Sequence, residues 1–334
     1  MIYKCIIRLK RFKNRRNILL YFFAIIAILT SINANIFLGG WKDALYTPTQ
    51  IVKVKDNYYI SDCWNGRIIY SHYLGIHPKK MNVLSENICG GHSIASDGEY
   101  IMIDDSDNHK LRLYYPSNDS EDIVLIDELD IEDRPHYIQY YKGCFFILGS
   151  YSGSIYEVRV FNGKMSLIDT HIIDRSISYA RSFSIVDNII FIPTADGRIY
   201  EIDLNSWRIK RVYYVPDDIG GMNFIDRIGD YFYLTVYSGK DFDMNCPSKI
   251  LRGKKIEDFE NNTYEDITNV LSISGTPYFI TQFDGLYYLT EIDSNQGIIE
   301  FSIDNQGEIK DVKDIYEYRG ERLSSKLRKN RVFK

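Results

Sequence analysis

The sequence is poor in the residues that usually build a covalent or metal-centred framework. It has five cysteines in 334 residues: Cys5, Cys63, Cys89, Cys144 and Cys246. They are scattered and show no Cys-x-x-Cys spacing, which excludes a zinc ribbon and a dithiol redox motif. At most one disulfide is expected. Proline is scarce at eight, and tryptophan at three. No stretch keeps a helical apolar period, which excludes a helical bundle. No Gly-x-Ser-x-Gly, His-Glu-x-x-His or phosphate-cradling glycine loop occurs, so the common hydrolase, metalloprotease and nucleotide-binding signatures are missing.

Charge of one sign is missing at both ends. Residues 1–34 hold seven basic groups and no acid, and the tail from Arg319 holds seven basic groups against Glu321 alone. The remaining middle has 26 basic groups (40 less 14) against 44 acidic ones (45 less one). So acidic a body argues against nucleic acid as a partner. The only long apolar run, Ile18 to Leu29, follows the basic N-terminal stretch. Basic start plus apolar core reads as an export signal, either a peptide cleaved near Ala34 or an uncleaved signal-anchor helix. Its 12–16 apolar residues are short against the roughly 20 of a stable span. The expected organisation is 1–34 signal peptide or signal-anchor, 35–318 folded domain and 319–334 basic tail. The chain is expected to be exported, membrane-associated at its N-terminus or secreted, and monomeric.

What is abundant is a repeated sentence: short apolar strand, tight polar turn, strand. It reads at Ile60 to Tyr70 around Asn65-Gly66, at Tyr100 to Tyr114 around Asn108-His109, at Ile147 to Tyr156 around Ser152-Gly153 and at Phe191 to Tyr200 around Asp196-Gly197. A looser copy runs from Leu289 to Phe301. Such turns supply the positive φ that tight hairpins need. Before each hairpin lies another short strand, opening near Pro48, Gly91, Pro135, Ser182, Met222 and Pro277, at spacings of 43, 44, 47, 40 and 55. Fourth strands read at Asp122 to Ile126, Met165 to Ile168, Ile209 to Val215 and Ile309 to Tyr316. Six four-stranded units at this period predict an all-β, six-bladed β-propeller with antiparallel blades. The fifth unit breaks the pattern with an insertion from Tyr237 to Pro247, and insertions of this kind gather on one face.

The run Asp105-Ser106-Asp107-Asn108-His109-Lys110-Leu111 resembles the motif of NHL-repeat propellers, and Asp62 to Ile68 is a second, less complete copy. The blade count is similar to that of the SMP-30/gluconolactonase-like propellers, over about residues 47–318. That resemblance implies a fold shared by lactonases, lyases, ligand binders and protein-binding scaffolds. Lactonases of that kind hold one metal with a Glu, two Asn and an Asp. Here only Asn223 matches in type and place, and Thr49 stands where an acid would be wanted. The lyases use histidine ligands, which His92 and His136 imitate.

In a propeller, inner-strand starts and the loops between second and third strands share one face and ring the channel mouth. The inner-strand starts supply Thr49, His92, His136, Phe183, Asn223 and Tyr278. The loops supply Asp62, Asp105, Gly149, Thr194, Asp241, Asp243 and Glu291. Arg134 and Arg181 flank two starts and are suited either to clamp an anionic group or to pair with the surplus carboxylates. Asp62 and Asp105 have an alternative role in closing their own hairpin turns. His92 and His136, with nearby carboxylates, are the expected ligands of one divalent ion, Ca²⁺, Zn²⁺ or Mn²⁺. The expected function is a binding or scaffold module that presents the mouth and the blade-five insertion to a glycan, peptide or envelope protein. The alternative is a metal-dependent hydrolase or lyase at the same mouth.

Overall fold

The computed structural model describes residues 45–116, 123–273, 275–292 and 297–316. The expected export segment, residues 1–34, and the basic tail, 319–334, lie outside these residues. Among the described residues no helix is long and apolar enough to cross a membrane.

The described residues form 24 strands in six four-stranded antiparallel sheets, as the repeat predicts. Blade one holds β1 (Pro48–Val54), β2 (Asn57–Asp62), β3 (Arg67–Ser71) and β4 (Asn82–Glu86). Blade two holds β5 (Ile94–Ser96), β6 (Ile101–Asp105), β7 (Lys110–Pro116) and β8 (Ile123–Asp130). Blade three holds β9 (Pro135–Tyr141), β10 (Cys144–Gly149), β11 (Ser154–Phe161) and β12 (Lys164–Ile172). Blade four holds β13 (Ser184–Val186), β14 (Ile189–Pro193), β15 (Arg198–Asp203) and β16 (Arg208–Tyr214). Blade five holds β17 (Gly221–Ile228), β18 (Tyr231–Ser238), β19 (Lys249–Gly253) and a two-residue β20 (Glu265–Asp266), with the short helix α1 (Glu257–Glu260) before it. Blade six holds β21 (Thr276–Phe283), β22 (Leu286–Ile292), β23 (Ile298–Ile303) and β24 (Ile309–Asp314).

The turn chemistry explains the repeat. Gly66 and His109 sit at the same place after the Asp-x-x-Asn turns, with φ of 64° and 56°. A Cβ on Gly66 would stand 3.0 Å from the Ile88 carbonyl oxygen. The carboxylate that starts each turn reaches back to the incoming interblade segment. Asp62 accepts from the Tyr46 N–H (2.6 Å) and from Arg67 Nε (2.7 Å). Asp105 repeats this with the Cys89 N–H (2.8 Å) and Arg112 Nη2 (2.6 Å). Both carboxylates are fully buried. They are struts between hairpin and linker, the turn-closing role of the two that the sequence left open. In blade three Asp133 takes over: its Oδ2 accepts from the Ser152 N–H at 2.7 Å, and Gly149 leaves room for it.

Between blades the core is aliphatic and aromatic, and the apolar sheet faces bury one another. A second device was not legible in the sequence. Side-chain hydroxyls and amides of the first and second strands tie each blade to the inner edge of the next around the whole ring. Ser61 Oγ donates to the Gly91 carbonyl (2.8 Å), and the Ile138 N–H donates to Ser93 Oγ (3.0 Å). The Ile185 N–H donates to Gln139 Oε1 (3.1 Å), and Ser182 Oγ donates to the Asn223 carbonyl (2.8 Å). Thr235 Oγ1 donates to the Tyr278 carbonyl (2.7 Å), and Thr290 Oγ1 donates to the Thr49 carbonyl (2.8 Å). The last of these crosses from blade six to blade one. No strand is exchanged at that seam: β1–β4 form one sheet and β21–β24 another. Closure rests instead on a shared apolar cluster with Leu45, Ile51, Ile60, Tyr288, Ile298 and Tyr316. Thr281 Oγ1 adds a bond to the Ile51 carbonyl (2.6 Å), and Lys53 pairs with Asp284 (2.6 Å). Thr290→Val keeps the shape and strands the buried Thr49 carbonyl. A loss of about 1–2 kcal/mol is expected in urea unfolding, and an unchanged midpoint would refute the strut.

The channel is not open from end to end. Tyr137 of β9, Phe224 of β17 and Phe279 of β21 meet on the axis, with Tyr137 at 4.9 Å from Phe279 and 6.1 Å from Phe224 between ring centroids. Phe183, just before β13, lies edge-on to Tyr137 at 5.5 Å. All four are buried. The inner-strand starts therefore stand over an aromatic floor that closes the axis.

Candidate functional site

Four of the six inner-strand starts converge. The His92 and His136 rings stack with centroids 4.0 Å apart and planes 10° from parallel. The Tyr278 hydroxyl lies 3.4 Å from His92 Nδ1 and 3.5 Å from His136 Nε2. His136 Nδ1 is 2.8 Å from the Arg181 carbonyl oxygen. A carbonyl only accepts, so Nδ1 carries the proton and Nε2 is left as the acceptor facing Tyr278. Asn223 is fully buried and acts as a bracket: Oδ1 accepts from Arg181 Nη1 and Nδ2 donates to the Pro277 carbonyl, both at 2.8 Å.

The two arginines differ. Arg134 pairs with Asp107 and donates to the Tyr151 hydroxyl at 3.2 Å. Arg181 has no carboxylate within ion-pair distance among the described residues. It is held instead by Asn223 and by tyrosine rings, with its guanidinium carbon 4.2 Å from the Tyr237 centroid, 5.5 Å from Tyr179 and 5.8 Å from Tyr278. Such ring faces support a cation without neutralising it. Burial works against the Arg181 charge, but the surrounding Tyr179, Tyr278 and Tyr237 oxygens outweigh it and its pKa is raised. The Nε atoms of both arginines are buried and have no hydrogen-bond partner. Arg181 is therefore a charged donor without a paired acid among the described residues, while Arg134 shares its charge with Asp107 and keeps one buried Nε without a partner.

These charges set the histidines. Burial, then Arg134 and Arg181, push His92 down to about 3. His136 is lowered well below its ordinary value by burial, by His92 and by the same arginines. Both rings are neutral at pH 7. Burial raises the Tyr278 hydroxyl and the Cys63 thiol well above their usual ranges, so neither is an anion. Cys63 Sγ lies 3.8 Å from His92 Nδ1, but a neutral thiol beside a weakly basic ring is not an activated nucleophile.

The expected metal pair does not take this form. Lone pairs of nearly parallel, stacked rings lie in separate planes and do not meet at one point, and Nδ1 of His136 is committed to a carbonyl. Among the described residues no group of three or more His, Cys, Asp or Glu side chains is arranged to hold a metal. Asp62 and Asp105 are used as struts. Glu291 likewise accepts from the Gly275 N–H at 2.9 Å, and Thr49 is buried beneath the Thr290 bond. Phe183 turns into the floor. Thr194 bonds Asp196, which pairs with Arg198, within its own hairpin.

The sequence reading missed several residues that complete the mouth. Tyr179 precedes β13, and Tyr237 is the last residue but one of β18. Phe242 comes from the blade-five insertion and packs on both, at 5.8 Å from each. The insertion is anchored by the Asp241 N–H donating to the Ala195 carbonyl at 2.9 Å. The insertion thus lies, through Phe242, on the face that carries the inner-strand starts. Beneath the histidines lies Asp104, fully buried, whose Oδ1 accepts from the His92 N–H (2.9 Å) and the Ser93 N–H (2.5 Å), while Ser106 Oγ lies 2.7 Å from Oδ2. Asp104 ends a run of apolar residues in β6, and only that position marks it as inward-facing.

No family model matches the chain, and no curated protein matches it in sequence. Solved structures match in shape. Sqt1 of Saccharomyces cerevisiae aligns over 85% of this chain and 88% of its own, at 10% identity and TM-score 0.57. Hydrazine synthase of Kuenenia stuttgartiensis aligns over 78% of each chain, at 12% identity and TM-score 0.55. A Bacteroides fragilis protein named as a 6-phosphogluconolactonase aligns over 81% of this chain and 83% of its own, at 11% identity and TM-score 0.55. At such identities the likeness speaks for the fold alone. The six four-stranded sheets and these likenesses in shape agree, and the chain is a six-bladed β-propeller.

Proposed function

We propose that the chain is an exported binding module whose channel mouth receives a ligand through an anionic group, a carboxylate or a phosphate. The observation that carries this reading is Arg181: a charged guanidinium, ringed by tyrosines, with a buried Nε that no protein acceptor meets. A buried polar group without a partner costs about 1–3 kcal/mol, more when charged. A ligand oxygen bonded by the Arg134 and Arg181 donors relieves that cost, and charge-assisted pairs of this kind are the strong ones. The neutral histidines and the Tyr278 hydroxyl add polar contacts without adding charge. Of the partners considered, a glycan fits this mouth best. The N-terminal segment would hold the module at the outer side of a membrane or be removed on export.

A second reading, hydrolysis or elimination on an anionic ester or lactone, draws on the Tyr278 hydroxyl set between two imidazoles. It also draws on the lactonase name carried by neighbours of the same fold. The magnitudes weigh against it. A general base works best with a pKa near the operating pH, and His92, at about 3, lies far below that. Binding asks nothing of that basicity.

Calorimetric titration of the purified full chain tests the reading. Glucuronate and glucose 6-phosphate are expected to bind saturably, while glucose and cationic glucosamine give no heat above dilution. Binding of glucosamine at the level of glucuronate, or silence from every anion, would reject it. Consumption of a sugar lactone or ester in the same samples would turn the choice to the second reading.

A further inference from the structure

The rim above the arginines carries more apolar ring surface than an anion needs. Four rings form a continuous arc on the mouth face. Tyr151, in the β10–β11 loop, lies 5.5 Å from Tyr179 between centroids. Tyr179 lies 5.8 Å from Phe242, and Phe242 lies 5.8 Å from Tyr237. Tyr151 is 55% exposed and Phe242 42%, so their faces are offered to solvent and not spent in the core. Both arginines stand against this arc, Arg134 at 5.8 Å from the Tyr151 centroid and Arg181 at 4.2 Å from that of Tyr237. Across the mouth, Trp64 in the β2–β3 loop is also 42% exposed and packs on Tyr46 at 5.9 Å. Exposed aromatic groups thus rise from the hairpin loops of blades one, three and five, and charged donors sit between them.

Flat rings whose faces carry negative potential attract the polarised C–H faces of pyranose sugars. The arc is longer than a single sugar ring. The body around the mouth is strongly acidic: Asp241 and Asp243 lie in the blade-five insertion, Asp107 in the β6–β7 loop and Asp217 between β16 and β17. Such a surface repels a ligand with charge on every unit, and it tolerates one with a single charge delivered to the arginines. An extended peptide would look for unpaired strand edges to join, whereas the mouth presents only strand ends and loops.

We propose that the mouth binds an otherwise neutral oligosaccharide carrying one anionic substituent. The substituent is seated at Arg134 and Arg181, and neighbouring sugar rings lie on the Tyr151–Tyr179–Phe242 arc. The shared chemistry is one carboxylate or phosphate on a sugar chain. This proposal rests on the anion-binding reading above and adds to it the length and charge density of the ligand.

The test compares four probes on the full chain by calorimetry: glucuronate, aldotetraouronic acid (a xylo-oligosaccharide with one uronate), neutral xylotetraose and tetragalacturonate. Aldotetraouronic acid is expected to bind at least about tenfold more tightly than glucuronate, because stacking anchors carry interface energy. Xylotetraose is expected to bind weakly. Tetragalacturonate is expected to bind less tightly than aldotetraouronic acid at low salt and to gain affinity as salt screens the acidic rim. Phe242→Ala, on an exposed side chain, is expected to collapse the ratio between aldotetraouronic acid and glucuronate. Equal affinity for those two overturns this proposal while leaving the anion site standing. Failure of both to bind overturns both readings. Tetragalacturonate, or a pentapeptide with one glutamate, binding as tightly as aldotetraouronic acid would overturn the choice of a singly charged saccharide. A glucose 6-phosphate-bearing oligosaccharide that outbinds aldotetraouronic acid would support it, with phosphate as the source of the charge.

Discussion

The folded chain is expected to lose stability as pH rises from about 4 to about 7, and Asp104→Asn is expected to remove much of that loss. Burial raises the Asp104 carboxyl to about 7, against an ordinary value near 4, despite the N–H and O–H groups around it. A hydrogen-bond chain accommodates the proton. Ser106 Oγ lies against both Asp104 Oδ2 and the Pro135 carbonyl. A protonated Asp104 donates to Ser106, and Ser106 donates to Pro135, so each group has a partner. The sign follows from linkage. A carboxyl whose folded pKa is raised makes the native state bind the proton more tightly. Its stabilisation is complete below the unfolded pKa and is lost as pH rises through the folded one. One such proton gives a slope of about 1.4 kcal/mol per pH unit, so the full window is worth up to about 4 kcal/mol. Asp226 is raised to about 7 by burial and acts in the same window. Carboxylates held below their ordinary value, such as Asp127 and Asp284, act in the opposite sense but below about pH 4. The informative quantity is therefore the difference between wild type and Asp104→Asn, read by urea unfolding at pH 4.5, 6 and 8. The variant is expected to match wild type at the acidic end and exceed it at pH 8. A variant several kcal/mol weaker at pH 8 would mean that Asp104 is a charged acceptor.

Loss of the anionic ligand is the other large effect expected. Arg181→Gln keeps a polar head of similar reach but removes the charge and the fork. A bidentate, charge-assisted contact of about 3 kcal/mol corresponds to roughly a hundredfold in affinity. Asn223→Asp tests the same idea from behind. It sets a carboxylate where Oδ1 now lies 2.8 Å from Arg181 Nη1, so the guanidinium is neutralised from within. It also removes the donor to the Pro277 carbonyl, which costs about 1–3 kcal/mol of stability. Glucuronate affinity is expected to drop about as far in this variant as in Arg181→Gln, with the fold intact by circular dichroism. Near wild-type affinity in both would remove Arg181 from the site.

The ring was legible because its signal is periodic and local. Six openings spaced 40–55 residues apart, with turns that demand positive φ, leave little choice of architecture. The mouth was legible only in part. His92, His136, Asn223 and Tyr278 were found because each starts an inner strand. Phe183 failed by the same rule because it precedes the first paired residue of β13 and its ring packs edge-on to Tyr137 in the floor. Thr49 failed because the register of β1 shifts between Pro48 and Gln50. One residue of slip turns a side chain from the axis into a blade interface. Asp62 and Asp105 look the same in sequence whether they face a ligand or cap a linker, and three-dimensional proximity to the Tyr46 and Cys89 N–H groups decides. Tyr179 and Phe242 lie outside any strand, where periodicity carries no information. The charge on Arg181 was visible, but the lack of a neighbouring acid was not, in a body so rich in carboxylates.

The seam between blades one and six gives this ring a property that an interlocked propeller lacks. Every sheet is made from one continuous segment, so no junction between blades shares a strand, and each is held by side-chain bonds and apolar packing, with the Asp241–Ala195 backbone bond added between blades four and five. Leu45 and Tyr316 lie in one cluster at the seam. The order in which blades follow one another along the chain is therefore separable from their order around the axis. A circular permutant that joins residue 316 to residue 45 through a flexible linker, and opens between β8 and β9, would cut no sheet. It would return the same ring from a rearranged gene, and by the same reasoning a blade could be duplicated or exchanged as a unit.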